Sequence, residues 1–162
     1  MEFTTIRLAH KRSQILLKSK VKYDMFSKGL DEFIIKNNIF SIDEGKKFFD
    51  YIGDQGPLQF MSEKFKNLIE DNNIKGIQFS PIIINGTDFK YYYRENQCSS
   101  IYDKDEDGDR IYGTFKVDMA SWDGSDIFYL KDSGATVCTT RVKEIIEKAK
   151  ISNVEFQDLS KY

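Results

Sequence analysis

A shift of 77 positions brings the segment 58–81 into register with 136–158 without a gap, and this recurrence limits the fold more than any other feature. Phe60 meets Val137, Met61 meets Cys138, Ser62 meets Thr139 and Phe65 meets Val142. Leu68-Ile69-Glu70 meets Ile145-Ile146-Glu147, Ile74 meets Ile151, Ile77 meets Val154 and Phe79 meets Phe156. Each copy is preceded by an Asp and apolar residues, Asp50-Tyr51-Ile52 and Asp126-Ile127-Phe128, which align after a one-residue slip. Phe65, Leu68 and Ile69 follow Met61 at helical spacing, as Val142, Ile145 and Ile146 follow Cys138. Ser62 and Thr139 stand where the first helical N–H groups need a side-chain acceptor, so both read as N-caps. The alternating Ile77-x-Phe79 and Val154-x-Phe156 that follow read as strands with one buried face. The repeated unit is therefore strand, helix, strand, with copies at about 50–84 and 126–160.

The chain has 162 residues and enough length for one packed core, so residues 1–162 read as a single domain. Fourteen per cent aromatic residues argue against disorder. The longest apolar run, Ile82-Ile83-Ile84, is too short to span a bilayer, and basic residues follow rather than precede the N-terminal apolar ones. A cytoplasmic location is expected, with Cys98 and Cys138 as reduced thiols. Residues 1–28 carry a charge of +5 and the remainder −7. Ile15-Leu16-Leu17 inside the basic stretch marks an ordinary element with solvated neighbours, so direct nucleic-acid binding is not expected.

Hairpin signals fill the middle. Asn85-Gly86 between Ile82-Ile83-Ile84 and a strand over 87–93 has the chemistry of a type I′ turn. A second hairpin is expected to pair Ile101-Tyr102 with Ile111-Tyr112, followed by a strand over 114–119. Between them, Asp103-Lys104-Asp105-Glu106-Asp107-Gly108-Asp109 matches the first half of a calcium loop. Thr114 stands where such a loop needs a bidentate Glu, and the flanks read as strands. Asp103, Asp105 and Asp107 are thus weak metal candidates, and no cofactor is expected. No nucleophile or phosphate-loop motif occurs, and His10 is the single histidine, so an enzyme is not expected. A converging carboxylate pair is the one catalytic option left open.

The last third resembles a known family. Ser121-Trp122-Asp123-Gly124-Ser125-Asp126-Ile127-Phe128, then Ala135-Thr136-Val137-Cys138-Thr139-Thr140-Arg141-Val142, then Asn153-Val154-Glu155-Phe156, is similar to the MXAN-0049-type immunity proteins of bacterial polymorphic toxin systems. The resemblance is best over 115–158, weaker over 50–81, and Cys138 and Thr139-Thr140 depart mildly from the usual apolar residue and Ser. It implies a non-catalytic protein that occludes a cognate toxin domain, with Trp122, Gly124 and Asp126 as a structural signature. A nuclease toxin, whose cleft is built for phosphates, would suit an acidic surface. The expected partner-binding residues are Asp103, Asp105, Glu106, Asp107 and Asp109 with Tyr102 and Tyr112. The alternative is a calcium-dependent interaction module using the same loop. The expected architecture is α+β: a mostly antiparallel twisted sheet with helices on one side, at 28–38, 62–72 and 140–150.

Overall fold

The computed structural model describes residues 2–22, 29–84 and 90–162. Its strands are β1 Phe3–Leu8, β2 Leu16–Ser19, β3 Ile39–Glu44, β4 Tyr51–Asp54, β5 Gln59–Ser62 and β6 Ile77–Ile84. They continue as β7 Lys90–Cys98, β8 Ser100–Ile101, β9 Lys116–Val117, β10 Ile127–Leu130, β11 Ala135–Thr139 and β12 Val154–Asp158. Helices α1 Leu30–Lys36, α2 Glu63–Asp71 and α3 Thr140–Lys148 join them, with a 3-10 turn at Leu159–Lys161. The expected 85–86 turn, and the start of the helix expected from residue 28, lie outside the described residues.

The sheet is not an antiparallel layer with helices on one side. Strands β7, β5, β4, β2, β3 and β6 close into a six-stranded mixed barrel, because β6 pairs with β7 as well as with β3. Three parallel pairings, β2 with β4, β3 with β6 and β7 with β10, have no hairpin turn to announce them in the sequence. Every barrel strand sends a residue into one inner core: Leu17, Phe40, Ile52, Phe60, Ile82 and Tyr92, capped by Ile34 of α1. From β7 the sheet runs on outside the barrel through β10, β11, β1 and β12.

The two halves match far beyond the 58–81 window. Helices α2 and α3 begin and end 77 residues apart. Positive φ occurs at Asn73 and Lys150, and again at Gly76 and Asn153, which are the same offset positions. Strand β7 lies between β5 and β6, with Tyr92 opposite Phe60 and Ser80. Strand β1 lies between β11 and β12, with Thr5 opposite Val137 and Gln157. Tyr92 and Thr5 are therefore equivalent. So are Arg94 and Arg7, which bond Gln78 and Glu155, themselves 77 apart. Each half of the chain reads strand, insert, hairpin, helix, strand, and each half lends its first strand to the sheet of the other.

Two aspartates lock this exchange. Asp50 Oδ2 accepts from the backbone N–H of Ser152 at 2.9 Å, and Asp126 Oδ2 accepts from that of Lys75 at 3.0 Å. Ser152 and Lys75 are equivalent turn positions, so the contact is reciprocal, as across a two-fold axis. Both helices then share one core, in which Phe65 and Val142, Ile69 and Ile146, and Met61 and Cys138 lie together. Cys98 and Cys138 are free and buried, and burial pushes the Cys138 thiol up to about 12.

The caps differ. Ser62 accepts from the Phe65 N–H at 3.1 Å, whereas Thr139 makes no capping bond and its Oγ1 is buried without a partner among the described residues. We expect Ser62→Ala to cost about 1–2 kcal/mol in urea unfolding. Thr139→Val, which removes an unsatisfied hydroxyl, should cost nothing or stabilise. Equal losses at both positions would show that the two caps do the same work.

Candidate functional site

The acidic segment forms the tip of a ribbon inserted between β7 and β10. Its base is not the expected pairing of 101–102 with 111–112. Instead Ser100 and Ile101 pair with Val117 and Lys116, and a single bridge links Lys104 to Arg110. The expected strand over 114–119 shrinks to Lys116–Val117. The tip is held by its own backbone. Asp105 Oδ1 accepts from the N–H groups of Asp107 and Asp109, both at 2.9 Å, and Gly108 takes φ 86°. Asp105 is thus occupied with loop geometry, while Asp103, Glu106, Asp107 and Asp109 are exposed. Among the described residues no group of three or more His, Cys, Asp or Glu converges as a metal site requires, and Asp103, Asp105 and Asp107 form none.

Aromatic contacts anchor the ribbon to the body. Tyr102 and Tyr112 both pack on buried Phe115, which also meets Tyr162 near the C-terminus. Tyr102 is half-buried, but Tyr112 remains 73% exposed, with Ile101 and Ile111 exposed beside the acids in sequence. Trp122, Gly124 and Asp126 sit where this insert rejoins the frame. Trp122 Nε1 donates to the Ser125 carbonyl at 2.9 Å and its ring meets Phe3 edge-on. Gly124 has φ 84° with open space around it, so backbone conformation alone demands glycine. Asp126 adds an ion pair with Arg141 at 3.5 Å to its bond with Lys75. His10 is exposed and pairs with Gln14.

A second site was not anticipated from the residues. Strand β5 leaves β7 at Tyr92, and β10 joins it at Asn96, so Tyr93 to Glu95 have no neighbouring strand on that side. A cleft of about 330 Å³ opens there, lined among others by Thr5, Arg7, Gln59, Glu95, Tyr129 and Thr136. A smaller lobe of about 150 Å³ shares Pro57, Gln59 and Glu95 with it and reaches Leu30 and Tyr92. Beside it the Tyr51 and Tyr93 hydroxyls lie 2.5 Å apart, and both are within 2.7 Å of Oε1 of Gln59, which lines both lobes. Burial pushes both phenols well above their ordinary range, so both hold their protons.

Glu95 is the exceptional group. Thr136 Oγ1 donates to its Oε1 at 3.0 Å, while Oε2 is shielded from solvent and has no partner among the described residues. Burial, opposed by the Thr136 bond and reinforced by the charge of Asp31, pushes its carboxyl up to about 7. Asp31 in turn accepts from the Tyr92 hydroxyl. The signal in the sequence was the phase of Glu95 with buried Tyr93 on one strand face.

Comparison with protein-family models and with curated proteins finds no match to this chain. No helix among the described residues is long and apolar enough to cross a membrane.

The raised Glu95 group sets a pH dependence. Between about pH 4.5 and 7 the folded chain keeps a proton that the unfolded chain has released. Stability contributed by the neutral acid is therefore full below this window and falls as pH rises through it. We expect Glu95→Gln to raise stability above pH 7.5 by on the order of 1–3 kcal/mol and to leave it unchanged near pH 4. Thermal melts of both proteins from about pH 4 to 8.5 check this; parallel curves would show that Glu95 is solvated.

Proposed function

We propose that this chain is a non-catalytic protein that neutralises a cognate toxin domain by occluding it with the acidic ribbon. The observation that carries the reading is a stiff, projecting tip whose carboxylates are free to meet a partner while Asp105 and the Phe115 cluster fix its shape. Preorganised charge of one sign steers a basic partner and raises the association rate, whereas bulky amphipathic side chains such as Tyr112 supply contact area. The resemblance over 115–158 to immunity proteins supports the same conclusion. It fits the contacts of Trp122, Gly124 and Asp126, which tie the ribbon to the frame and leave the exposed acidic tip free for a partner. A basic nuclease domain is the toxin class that best complements the tip.

Co-expression tests this directly. A neighbouring gene should encode a toxic domain, the chain should restore growth to cells expressing that domain, and the purified pair should form a complex. Replacing Glu106, Asp107 and Asp109 by Lys, with Asp105 retained to hold the loop, should weaken binding about tenfold or more at low salt. It should also flatten the dependence of affinity on salt. Unaltered binding by this triple variant would move the interface away from the ribbon, and failure of the chain to protect would remove the toxin reading.

A further inference from the structure

We propose that the cleft at the β5–β10 gap binds an organic cation, with Glu95 receiving an ammonium or guanidinium group. This cleft shares no residue with the acidic ribbon tip and is independent of the toxin reading. A carboxylate oxygen withdrawn from water needs a donor, and Glu95 Oε2 has none among the described residues. The described groups around it offer no cation. Asp31 of α1 has the same sign, and Tyr51, Tyr92 and Tyr93 keep their protons. Arg7 lies on the cleft lining, but its guanidinium pairs with Glu155 at 3.0 Å. Arg94 turns its Nη2 to Gln78 on β6, and its buried Nε has no partner among the described residues.

The duplication supplies a second, independent sign that this place is specialised. Under the equivalence of the halves, Tyr51, Gln59, Tyr93 and Glu95 correspond to Ile127, Thr136, Ile6 and Leu8. The frame is stable with mostly apolar side chains at these positions in one half, yet in the other it carries a buried polar cluster opening on a cavity. Tyr51, Tyr93 and Glu95, three polar groups whose counterparts are apolar, mark a site kept for a ligand. Volume and wall fit the class. About 330 Å³ holds a short aliphatic chain with a charged head. Tyr129 and Tyr162 on the lining give the aromatic contact that such cations favour.

Calorimetry with the full chain tests the proposal. Agmatine is the free-amine probe, N-acetyl-arginine methylamide represents a side chain of a partner protein, and 1-pentanol is the uncharged control. Saturable binding of agmatine is expected, with protons released to buffer below pH 7 as the cation drives Glu95 to ionise. Glu95→Gln should weaken binding about tenfold or more. The same variant should melt no lower than the parent at pH 8, which separates lost binding from lost fold. Equal binding of the capped arginine would assign the site to a partner's side chain, and binding of agmatine alone to a free amine. No saturable heat from either cation at about 10 mM would overturn the proposal, as would an unweakened Glu95→Gln or equal binding of pentanol.

Discussion

Two charged hydrogen bonds decide how this chain is put together. Asp50 and Asp126 each leave their own half and take the backbone N–H of the turn after the other half's helix. A carboxylate accepting from the main chain is among the stronger bonds available to a folded protein, worth about 1.5–3 kcal/mol each. Asp50 adds bonds from the hydroxyls of Ser62 and Ser152, at 2.8 and 2.9 Å. It thereby joins the cap of α2 to the turn that ends α3. Once these bonds are set, the orientation of the helices is fixed, and their apolar faces can only meet each other. The shared core is the consequence.

The exchange of first strands follows from the same arrangement. Strand β1 completes the sheet of β11 and β12, and β7 completes that of β5 and β6, so neither half has a finished sheet of its own. The inserts then differentiate the halves. Between β1 and β4 the chain spends β2, α1 and β3 on closing the barrel; between β7 and β10 it builds the ribbon instead. Long β7 must serve barrel and outer sheet together, and the cleft opens where it passes from one to the other.

What could be read from residues was what local chemistry determines. The two helices, the N-cap positions and the strands after them are set by side chains within about ten residues of one another, and spacing exposes them. Barrel closure depends on parallel partners such as Ile39 with Ile83 and Leu16 with Gly53, which no turn connects. Sequence periodicity carries one strand's faces but not its neighbour's identity. The ribbon's paired strands depart from the pattern for a related reason: Ile111 and Tyr112 read like a strand, yet both are exposed, with Tyr112 over Phe115. Glu95 was hidden because a charged residue near a strand's polar end looks solvated. Its burial comes from Thr136 and Gln59, 41 residues later and 36 earlier.

The duplication also gives a way to separate support from function. Where both halves place like residues in like contacts, as with Arg7 and Arg94 or Ile69 and Ile146, the common cause is the frame itself. Where they differ, the frame has shown that it can stand without the difference. The ribbon and the Glu95 cluster are such departures, and they flank β7 in opposite senses: one projects charge outward, the other withdraws it. A projecting acidic tip can meet a broad basic surface, whereas a withdrawn carboxylate can accept only a group slender enough to enter. If one basic partner used both, its long cationic side chains would be sorted by depth, several meeting the ribbon and one reaching Glu95. The two sites are then complementary in chemistry while remaining separable by substitution, because no residue of the ribbon tip lines the cleft.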